Sequence, residues 1–441
     1  MRTYKLKSVF ITIIILAALL QLIFAAGSLY GQTNTIDDFY TTDIEGIIDP
    51  ALANQVKKSI TQATQDGYAL ILQIDTPGGL EASMRDIIKE MLNASIPIIV
   101  YIQPEGARAA SAGVFITYAS DIAAMHPGTN IGAAHPVNLG GEQASEEMME
   151  KITNDSVAYI KNLAESKGRN TQWAEKAVRE SVSITAGQAL DLGVIDFTTE
   201  SLDELLAKIN GLEIEKNGRA IIFSTDQANV EEIEVSFITK FLHIISNPNI
   251  AYILFILGLF GIIYEFSQPG LGISGALGVF FIILGLYSFS ILPINYAGLG
   301  LIVLAIILFI LDVALGLSGV LSLAGIASML IGSFILIDTQ APYLRIAKGL
   351  IIGASIAVSI FIIIVIRAVY KVHRKKPVTG ETGIIGKEAI VIIMLKPVGQ
   401  VKVNGEIWKA VSTGNKKIKK GRKVIVENVE GLTLYVKEKG G

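Results

Sequence analysis

The residue whose neighbours most clearly suggest chemistry is Ser111. It lies in the octapeptide 106–113, Gly-Ala-Arg-Ala-Ala-Ser-Ala-Gly, between an apolar strand-like segment and a helix-like segment. A serine hydroxyl at such a turn can attack a carbonyl carbon when nearby N–H groups stabilise the oxyanion that forms. A serine among alanines and glycines also allows close helix packing without any chemistry. The surrounding residues must therefore decide between a nucleophile and a packing residue.

A second turn offers the N–H groups that such a nucleophile needs. Residues 75–79, Asp-Thr-Pro-Gly-Gly, end another apolar run, and no Cβ shields the backbone of Gly78 or Gly79. The two turns lie one strand-helix-strand unit apart, so a parallel sheet brings both to the same edge. The N–H of Ala112, at the start of the following helix, is directed to the same place. We therefore expect Gly78, Gly79 and Ala112 to form an oxyanion hole beside Ser111.

Serine also needs a base, because its hydroxyl is a poor nucleophile at neutral pH. The candidates downstream are His126, His135, Lys151 and Lys161. A histidine needs little adjustment, since its ordinary pKa lies near 6.5, whereas a lysine must be desolvated or placed beside another cation. On chemistry alone, His135 is the simpler choice.

Lys151 has two interpretations. Glu147 and Asp155 stand four residues to either side, a spacing typical of ion pairs on an exposed helix. Alternatively, the apolar side chains of Met148, Met149 and Ile152 could desolvate its amine once a lid closes. The glycine-containing stretch 138–147 is a candidate for that lid.

The elements that must position these residues belong to an α/β domain. From residue 44 to residue 209 the chain alternates strand-like and helix-like segments. The periodicity predicts an amphipathic helix over 51–64, and Thr185 with Gln188 forms a capping box. The predicted strands are 44–48, 68–74, 96–102, 122–125 and 194–197.

The remainder of the chain contains export and membrane signals. Arg2, Lys5 and Lys7 precede an apolar stretch over 9–26, which is typical of a signal peptide or signal anchor. Hydrophobic residues make up 51% of the sequence, which predicts a membrane part. Candidate spans near the length needed to cross a bilayer follow at 250–264, 271–292, 296–315, 317–337 and 346–369.

The first of these runs is short, so four or five spans are possible. With five spans, the basic cluster 371–376 lies on the cytoplasmic side, as the positive-inside rule favours. Gly272, Gly275 and Gly278 are predicted to allow close helix packing. Asp312 is a charge within a span, which we interpret as an interhelical partner rather than an ion pathway.

Five short strands over 378–437 predict a small C-terminal barrel. Its basic run, 416–423, is interpreted as a solvated hairpin rather than a lipid or nucleic-acid site, because few aromatic residues accompany it. The chain has no cysteine, which excludes thiolate catalysis and disulfides, and its net charge of −3 argues against general nucleic-acid binding. We expect no metal and no cofactor.

Together the octapeptide, the turn 77–79 and the segment 125–133, Met-His-Pro-Gly-Thr-Asn-Ile-Gly-Ala, closely resemble the long form of the NfeD family of membrane-bound serine proteases. The resemblance implies a Clp-protease or crotonase-like α/β domain, an all-α membrane block and a small all-β OB-type barrel. The implied domains are a signal peptide or anchor at 1–31, the protease domain at 32–245, four to five membrane helices at 246–372, and the barrel at 377–441.

In that family the catalytic pair is serine and lysine, with the lysine on a mobile segment. The matching residues here are Ser111 and Lys151, and His135 is kept as the rival base. The resemblance also implies an assembly of two or more copies that cuts hydrophobic segments of a stomatin- or flotillin-like membrane protein. The protease domain would lie outside the cytoplasm and the barrel inside. The alternative is a non-catalytic scaffold that organises membrane microdomains with the same partner; acyl-CoA chemistry is disfavoured, since an exported domain rarely meets CoA.

Overall fold

The computed structural model describes residues 17, 21, 34–137, 145–267, 271–315, 317, 319–337, 339, 341–373 and 381–439. The predicted signal segment is therefore almost entirely outside the described residues, as are residues 138–144 of the predicted lid and the side chains of the basic cluster 371–376. The chain divides into two compact units, residues 1–310 with 321–359, and residues 311–320 with 360–441. Each is described by itself.

A mostly parallel sheet forms the centre of the first unit. Its described strands run in the order β8-β7-β5-β3-β4-β6-β9. In addition, β2 pairs with β3 and β12 pairs with β2, while β1, β11 and β10 form a small separate sheet. The strands are β1 (Asn34–Ile36), β2 (Phe39–Ile48), β3 (Ala69–Gly79), β4 (Ile98–Ile102), β5 (Arg108–Ala110), β6 (Ile122–Met125), β7 (Asn130–Gly132), β8 (Ser183–Thr185), β9 (Phe197–Thr198), β10 (Glu213–Lys216), β11 (Arg219–Phe223) and β12 (Val230–Glu232).

Strand β3 changes its neighbour along its length, and this change builds the site. Its first part, Leu70–Ile74, pairs in parallel with β4, whereas Thr76 pairs with Ala109 of β5. Strand β5 pairs in parallel with β7 on its other side. The carboxyl end of β3 is thereby placed directly beside the octapeptide.

Helices cover the sheet because β3 is apolar on both faces. Leu70, Leu72 and Ile74 are fully buried in one core cluster, and Ala69 and Ile71 in a second. A continuous apolar run of this kind is typical of a parallel strand buried on both sides. The helices of the domain are α1 (Pro50–Asp66), α2 (Glu81–Asn93), α3 (Ala112–Ala119), α4 (Glu146–Ser166), α5 (Thr171–Arg179), α6 (Ala186–Asp191), α7 (Leu202–Ile209) and α8 (Phe237–Ile245).

The predicted elements of this domain are largely confirmed. Strand β6 has the predicted bounds, and β2, β3, β4 and α1 overlap their predicted ranges. The capping box of Thr185 and Gln188 is also present. The predicted strand 194–197 is wrong in position, because Val194 and Ile195 are buried in the core and pairing with β6 begins only at Phe197.

Five apolar helices follow the α/β domain. They are α9 (Pro248–Ser267), α10 (Ile273–Ile291), α11 (Tyr296–Leu315), α12 (Val320–Ile335) and α13 (Lys348–His373). Within the described residues, α9 and α10 each contain 19 residues apolar enough to cross a membrane, and α11, α12 and α13 contain shorter apolar stretches. The first run is thus longer than the sequence predicted. Asp312 is buried in α11.

Glycines let α9 and α10 approach closely. Of the three glycines predicted to allow this packing, only Gly278 contacts the backbone of the other helix. A Cβ on Gly278 would lie 2.7 Å from the carbonyl oxygen of Gly258, so backbone contacts backbone there. A Cβ on Gly275 would meet only the side chain of Glu265, at 3.1 Å. The prediction is wrong for Gly272, which has a φ of 76° at the start of α10 and, among the described residues, no atom within 4 Å of the position of a Cβ.

The second unit contains a closed five-stranded barrel, which confirms the predicted OB-type domain. The strand order is β13-β14-β15-β17-β16, with β15 and β17 parallel. In the basic run 416–423 only Ile418 is buried, so the charged side chains are solvated. The strands are β13 (Glu388–Ile393), β14 (Val398–Val403), β15 (Glu406–Ser412), β16 (Lys423–Glu430) and β17 (Thr433–Glu438), preceded by the short helix α14 (Glu381–Ile384).

Helix α8 connects the α/β domain to the first membrane helix and is tied down by a histidine. His243 Nδ1 lies 2.9 Å from Oδ2 of Asp49, which is 2% exposed and also accepts a hydrogen bond from the Leu52 N–H at the start of α1. The hydrogen bond to Asp49 raises the pKa of His243 above its ordinary value, although burial opposes the shift, and the charge of Glu45 adds to it.

The glycine packing of the membrane helices predicts a large effect of Gly278→Leu. The new side chain must push α9 and α10 apart, and overpacking of this kind costs about 1–3 kcal/mol. We expect a lower thermal midpoint of the full chain in detergent. The matched control is Gly353→Leu in α13, where a Cβ meets nothing within 4 Å; equal midpoints for the two variants would contradict the packing argument.

The His243–Asp49 pair predicts a pH dependence of stability. Because folding raises the pKa of His243, its contribution is fully present below the ordinary histidine pKa of about 6.5 and is lost as pH rises through the folded-state value. The change in thermal midpoint from pH 5.5 to pH 8.5 should therefore be less negative in His243→Gln than in the unaltered chain. An equal change in the two proteins would contradict the role of this pair.

Candidate active site

Ser111 occupies a strained turn between β5 and α3. Its backbone has φ 53° and ψ −113°, a conformation that an L-residue rarely adopts. Strain of this kind costs about 1–3 kcal/mol and persists only where the surroundings enforce it. Here the Ser111 N–H donates to the Gly132 carbonyl at 3.1 Å, which fixes the turn against β7. A serine on a sharp strand-to-helix turn presents its hydroxyl in the way nucleophile elbows do.

The small residues around Ser111 are required by close contacts. A Cβ on Gly113 would lie 2.8 Å from Cγ2 of Thr76, and a Cβ on Gly132 would lie 2.3 Å from the Val182 carbonyl oxygen. Close packing therefore explains Gly113 of the octapeptide and Gly132 of β7. It does not account for the strained serine, which packing alone does not need.

Gly78 lies directly against Ser111. A Cβ on Gly78 would be 2.6 Å from Cβ and 3.1 Å from Oγ of Ser111, and the φ of Gly78 is 113°. Its N–H donates to Thr76 Oγ1 at 3.0 Å, and the Thr76 hydroxyl donates to the Gly46 carbonyl at 2.6 Å. Gly78 thus leaves room for the serine while its N–H is engaged elsewhere in this structure.

The other two predicted oxyanion donors border a cavity with Ser111. Gly79 and Ala112 both line it, and Ala112 is the first residue of α3, where N–H groups lack partners within the helix. The cavity has a volume of about 250 Å³. Its apolar wall includes Met84, Phe115 and Ile152.

A second cavity, of about 570 Å³, reaches Ser111 from the other side and contains the rival base. His135 lines it together with Pro77 and Arg108. His135 Nδ1 lies 2.8 Å from the Val178 carbonyl oxygen, so a proton on Nδ1 leaves Nε2 as the acceptor. The structure therefore brings Ser111 and His135 to one cavity.

The remaining candidate bases lie elsewhere. Lys151 lies in the first turns of α4, where its amine is 2.7 Å from Glu147 and its side chain is 67% exposed. Lys161 pairs with Glu175 at 2.9 Å, and His126 Nδ1 accepts the Gly128 N–H. Asp155, the other predicted partner of Lys151, pairs instead with Arg85. Lys151 therefore forms one of the two ion pairs predicted for it.

Sequence reasoning missed one residue at the site, Tyr343. It comes from the short 3₁₀ turn Pro342–Leu344 between α12 and α13, and it lines both cavities. Its hydroxyl lies 3.2 Å from the position that a Cβ on Gly78 would take. Burial raises the pKa of Tyr343, while a hydrogen bond with Ser111 opposes the shift. No local pattern distinguishes this tyrosine from other loop residues.

The contact between Gly78 and Ser111 predicts that Gly78→Ala abolishes reactivity of the serine. The new Cβ must displace Ser111, and a misplacement of about 1 Å can cost about 100-fold in rate, so we expect labelling of Ser111 by a fluorophosphonate to fall by roughly 100-fold. Gly106→Ala is the matched control, because Gly106 also has a positive φ, 87°, but nothing lies within 4 Å. Equal labelling of both variants would contradict the steric argument.

Comparison with known proteins identifies all three parts of the chain. Profiles described as the NfeD1b N-terminal domain, the NfeD integral membrane domain and the NfeD-like C-terminal, partner-binding domain match residues 38–216, 249–368 and 381–438. These matches agree with the predicted fold class, a Clp-protease-like α/β domain, a helical membrane block and a small barrel.

Full-length relatives are also found. The membrane-bound protease PH1510 of Pyrococcus horikoshii is 37% identical over 433 residues, covering 96% of this chain and 97% of the relative. The membrane protein NfeD1b of Bacillus subtilis is 25% identical over 430 residues, covering 90% and 92%. A solved lysine-to-alanine variant of a membrane-bound stomatin-specific protease, in complex with a substrate peptide, is 37% identical, covers 49% of this chain and 99% of that structure, and has a TM-score of 0.44. Given a relative this similar along almost its whole length, the chain belongs to the NfeD family of long-form membrane proteases.

Proposed function

We propose that this protein is a membrane-bound serine endopeptidase that cleaves hydrophobic segments of a stomatin- or flotillin-like membrane protein through a Ser111–Lys151 pair. The observation that carries the proposal is the strained turn of Ser111, which holds a hydroxyl between two cavities and beside the N–H of Ala112. Family membership and the full-length protease relative support the reaction class.

The mechanism follows from the chemistry of these groups. Neutral Lys151 accepts the Ser111 proton as Oγ attacks the scissile carbonyl carbon, and backbone N–H groups of Ala112 and Gly79 stabilise the oxyanion. The tetrahedral intermediate collapses to an acyl-enzyme as the lysine returns the proton to the leaving amine. Water then attacks the ester, the lysine again takes a proton, and the acid product leaves with Ser111 restored.

Delivery of Lys151 requires a local change at the start of α4. The ion pair with Glu147 is exposed, and such pairs contribute at most about 1 kcal/mol, so breaking it is inexpensive. The neighbouring Ile152 and the following Ser156 already line the cavity of Ser111. A rotation of the first turns of α4 would move Lys151 from solvent into this apolar wall. Desolvation there would lower the pKa of its amine.

The cavity also supports an apolar substrate. The smaller cavity, which His135 does not line, would bind hydrophobic side chains of the substrate. Its apolar wall is formed by Met84, Phe115 and Ile152. The C-terminal barrel matches a domain described as partner-binding, which supports docking of the membrane partner. The export signal and the basic residues after the last span support an α/β domain outside the cytoplasm and a barrel inside, with two or more copies in the assembly.

The lysine and histidine assignments are separated by three substitutions. With a fluorogenic peptide of apolar residues and the full chain in detergent, Ser111→Ala and Lys151→Ala should each lose roughly 1,000-fold or more of kcat, as for loss of a nucleophile or its base. His135→Ala should retain activity within a few-fold. The matched control is Lys161→Ala, an ion-paired lysine on the same helix.

Other outcomes of these substitutions would contradict the assignments. Loss of activity in His135→Ala, with Lys151→Ala active, would transfer the role of base to His135. Cleavage by Ser111→Ala at the unaltered rate would remove the protease proposal. If Ser111→Ala kept full cellular function while deletion of residues 381–438 abolished it, the scaffold alternative would be favoured.

A further inference from the structure

Hydrogen bonds hold the described residues 341–347, which lie between the last two membrane helices. Arg345 Nε donates to the Thr339 carbonyl at 2.7 Å, and the Leu344 N–H donates to the Ala341 carbonyl at 3.1 Å. Ala341 and Leu344 are 1% and 0% exposed. The Ala347 N–H donates to Asn249 Oδ1 at 2.8 Å, which ties the loop to the start of α9. The side chain of Tyr343 is therefore held in place.

Tyr343 stands between the two cavities that reach the nucleophile. Ser111, Val137 and Tyr343 are the residues that line both of them. The tyrosine hydroxyl lies over Gly78, at the face where Ser111 Oγ also lies, and the two hydroxyls interact. Ala341, from the same loop, closes part of the second cavity.

This position conflicts with a bound peptide. A peptide cleaved in its interior must extend to both sides of the nucleophile, one part toward Met84 and Phe115 and the other toward His135. Tyr343 lines both cavities at the point where Ser111 does, and its hydroxyl engages the hydroxyl that must attack. The same structure holds Lys151 in an exposed ion pair, and Lys151 is not among the residues that line either cavity.

We propose that Tyr343, carried by residues 341–347 of the membrane block, controls access to Ser111: it covers the serine in the resting enzyme and must move aside before a peptide can occupy the two cavities. The inference rests on the proposed function only for the identity of the ligand, a peptide. It assigns to the membrane block a direct part in the active site, in addition to anchoring. Because the loop joins α12 to α13, movement of those helices when a membrane substrate approaches would uncover the serine.

Access can be measured without any catalysis, because the chain contains no cysteine. In the full chain in detergent, Ser111→Cys is treated with a bulky maleimide, alone and combined with Tyr343→Ala. We expect removal of the ring to accelerate alkylation about tenfold, which corresponds to one lost hydrogen bond and contact. Tyr296→Ala, which removes an exposed tyrosine at the start of α11, is the control and should leave the rate unchanged. An unchanged rate with Tyr343→Ala would overturn the proposal.

Cleavage provides the second measurement. With Ser111 present, Tyr343→Ala should raise kcat/KM for a short apolar fluorogenic peptide by a similar factor, and Tyr343→Phe, which keeps the ring, should raise it less. A fall in kcat with an unchanged KM would assign Tyr343 to the stabilisation of the transition state and reject the covering role. If alkylation accelerates but no variant cleaves, access control stands and the proposed protease function fails. The two failures are thus distinguishable.

Discussion

The site depends on one steric constraint, the close approach of three turns at the carboxyl edge of the sheet. Gly78, Ser111 and Gly132 lie at the ends of β3, β5 and β7. A Cβ on Gly78 would meet Ser111, and a Cβ on Gly132 would meet Val182 and Ser183, so neither glycine leaves room for a side chain. The hydrogen bond from Ser111 N–H to Gly132 holds the serine in a conformation that costs about 1–3 kcal/mol. That cost is sustained because β3 and its neighbours are buried on both faces, which leaves the turn no room to relax.

The same constraint explains the chemistry available to the site. Ser111 lines two cavities, and Ala112, the first residue of α3, lines one of them with it. His135 shares the second cavity with the serine, whereas Lys151, favoured by the family resemblance, has an exposed side chain paired with Glu147.

The membrane block is linked to the protease domain by two kinds of contact. Helix α8 is held by the pairing of His243 with Asp49, which also caps α1. The loop after α12 reaches the nucleophile itself through Tyr343. Gly46 lies near both links, since its carbonyl accepts the Thr76 hydroxyl and its Cα faces the His243 ring. Through these two contacts, the geometry around Ser111 depends on the positions of α8, α12 and α13.

The sequence by itself determined the α/β class, the five apolar helices and the barrel, because hydrophobic periodicity is a local property, and its run of small residues singled out Ser111 as the candidate nucleophile. It did not reveal the short strands β5 and β7, whose three residues each are too few for a periodic signal. Only the tertiary structure decided that the Gly78 N–H is engaged by Thr76, that His135 rather than Lys151 lines a cavity with the serine, and that Tyr343 lines both cavities beside it. These outcomes depend on contacts between residues far apart in the chain, and such contacts are set by packing rather than by the spacing of residue types.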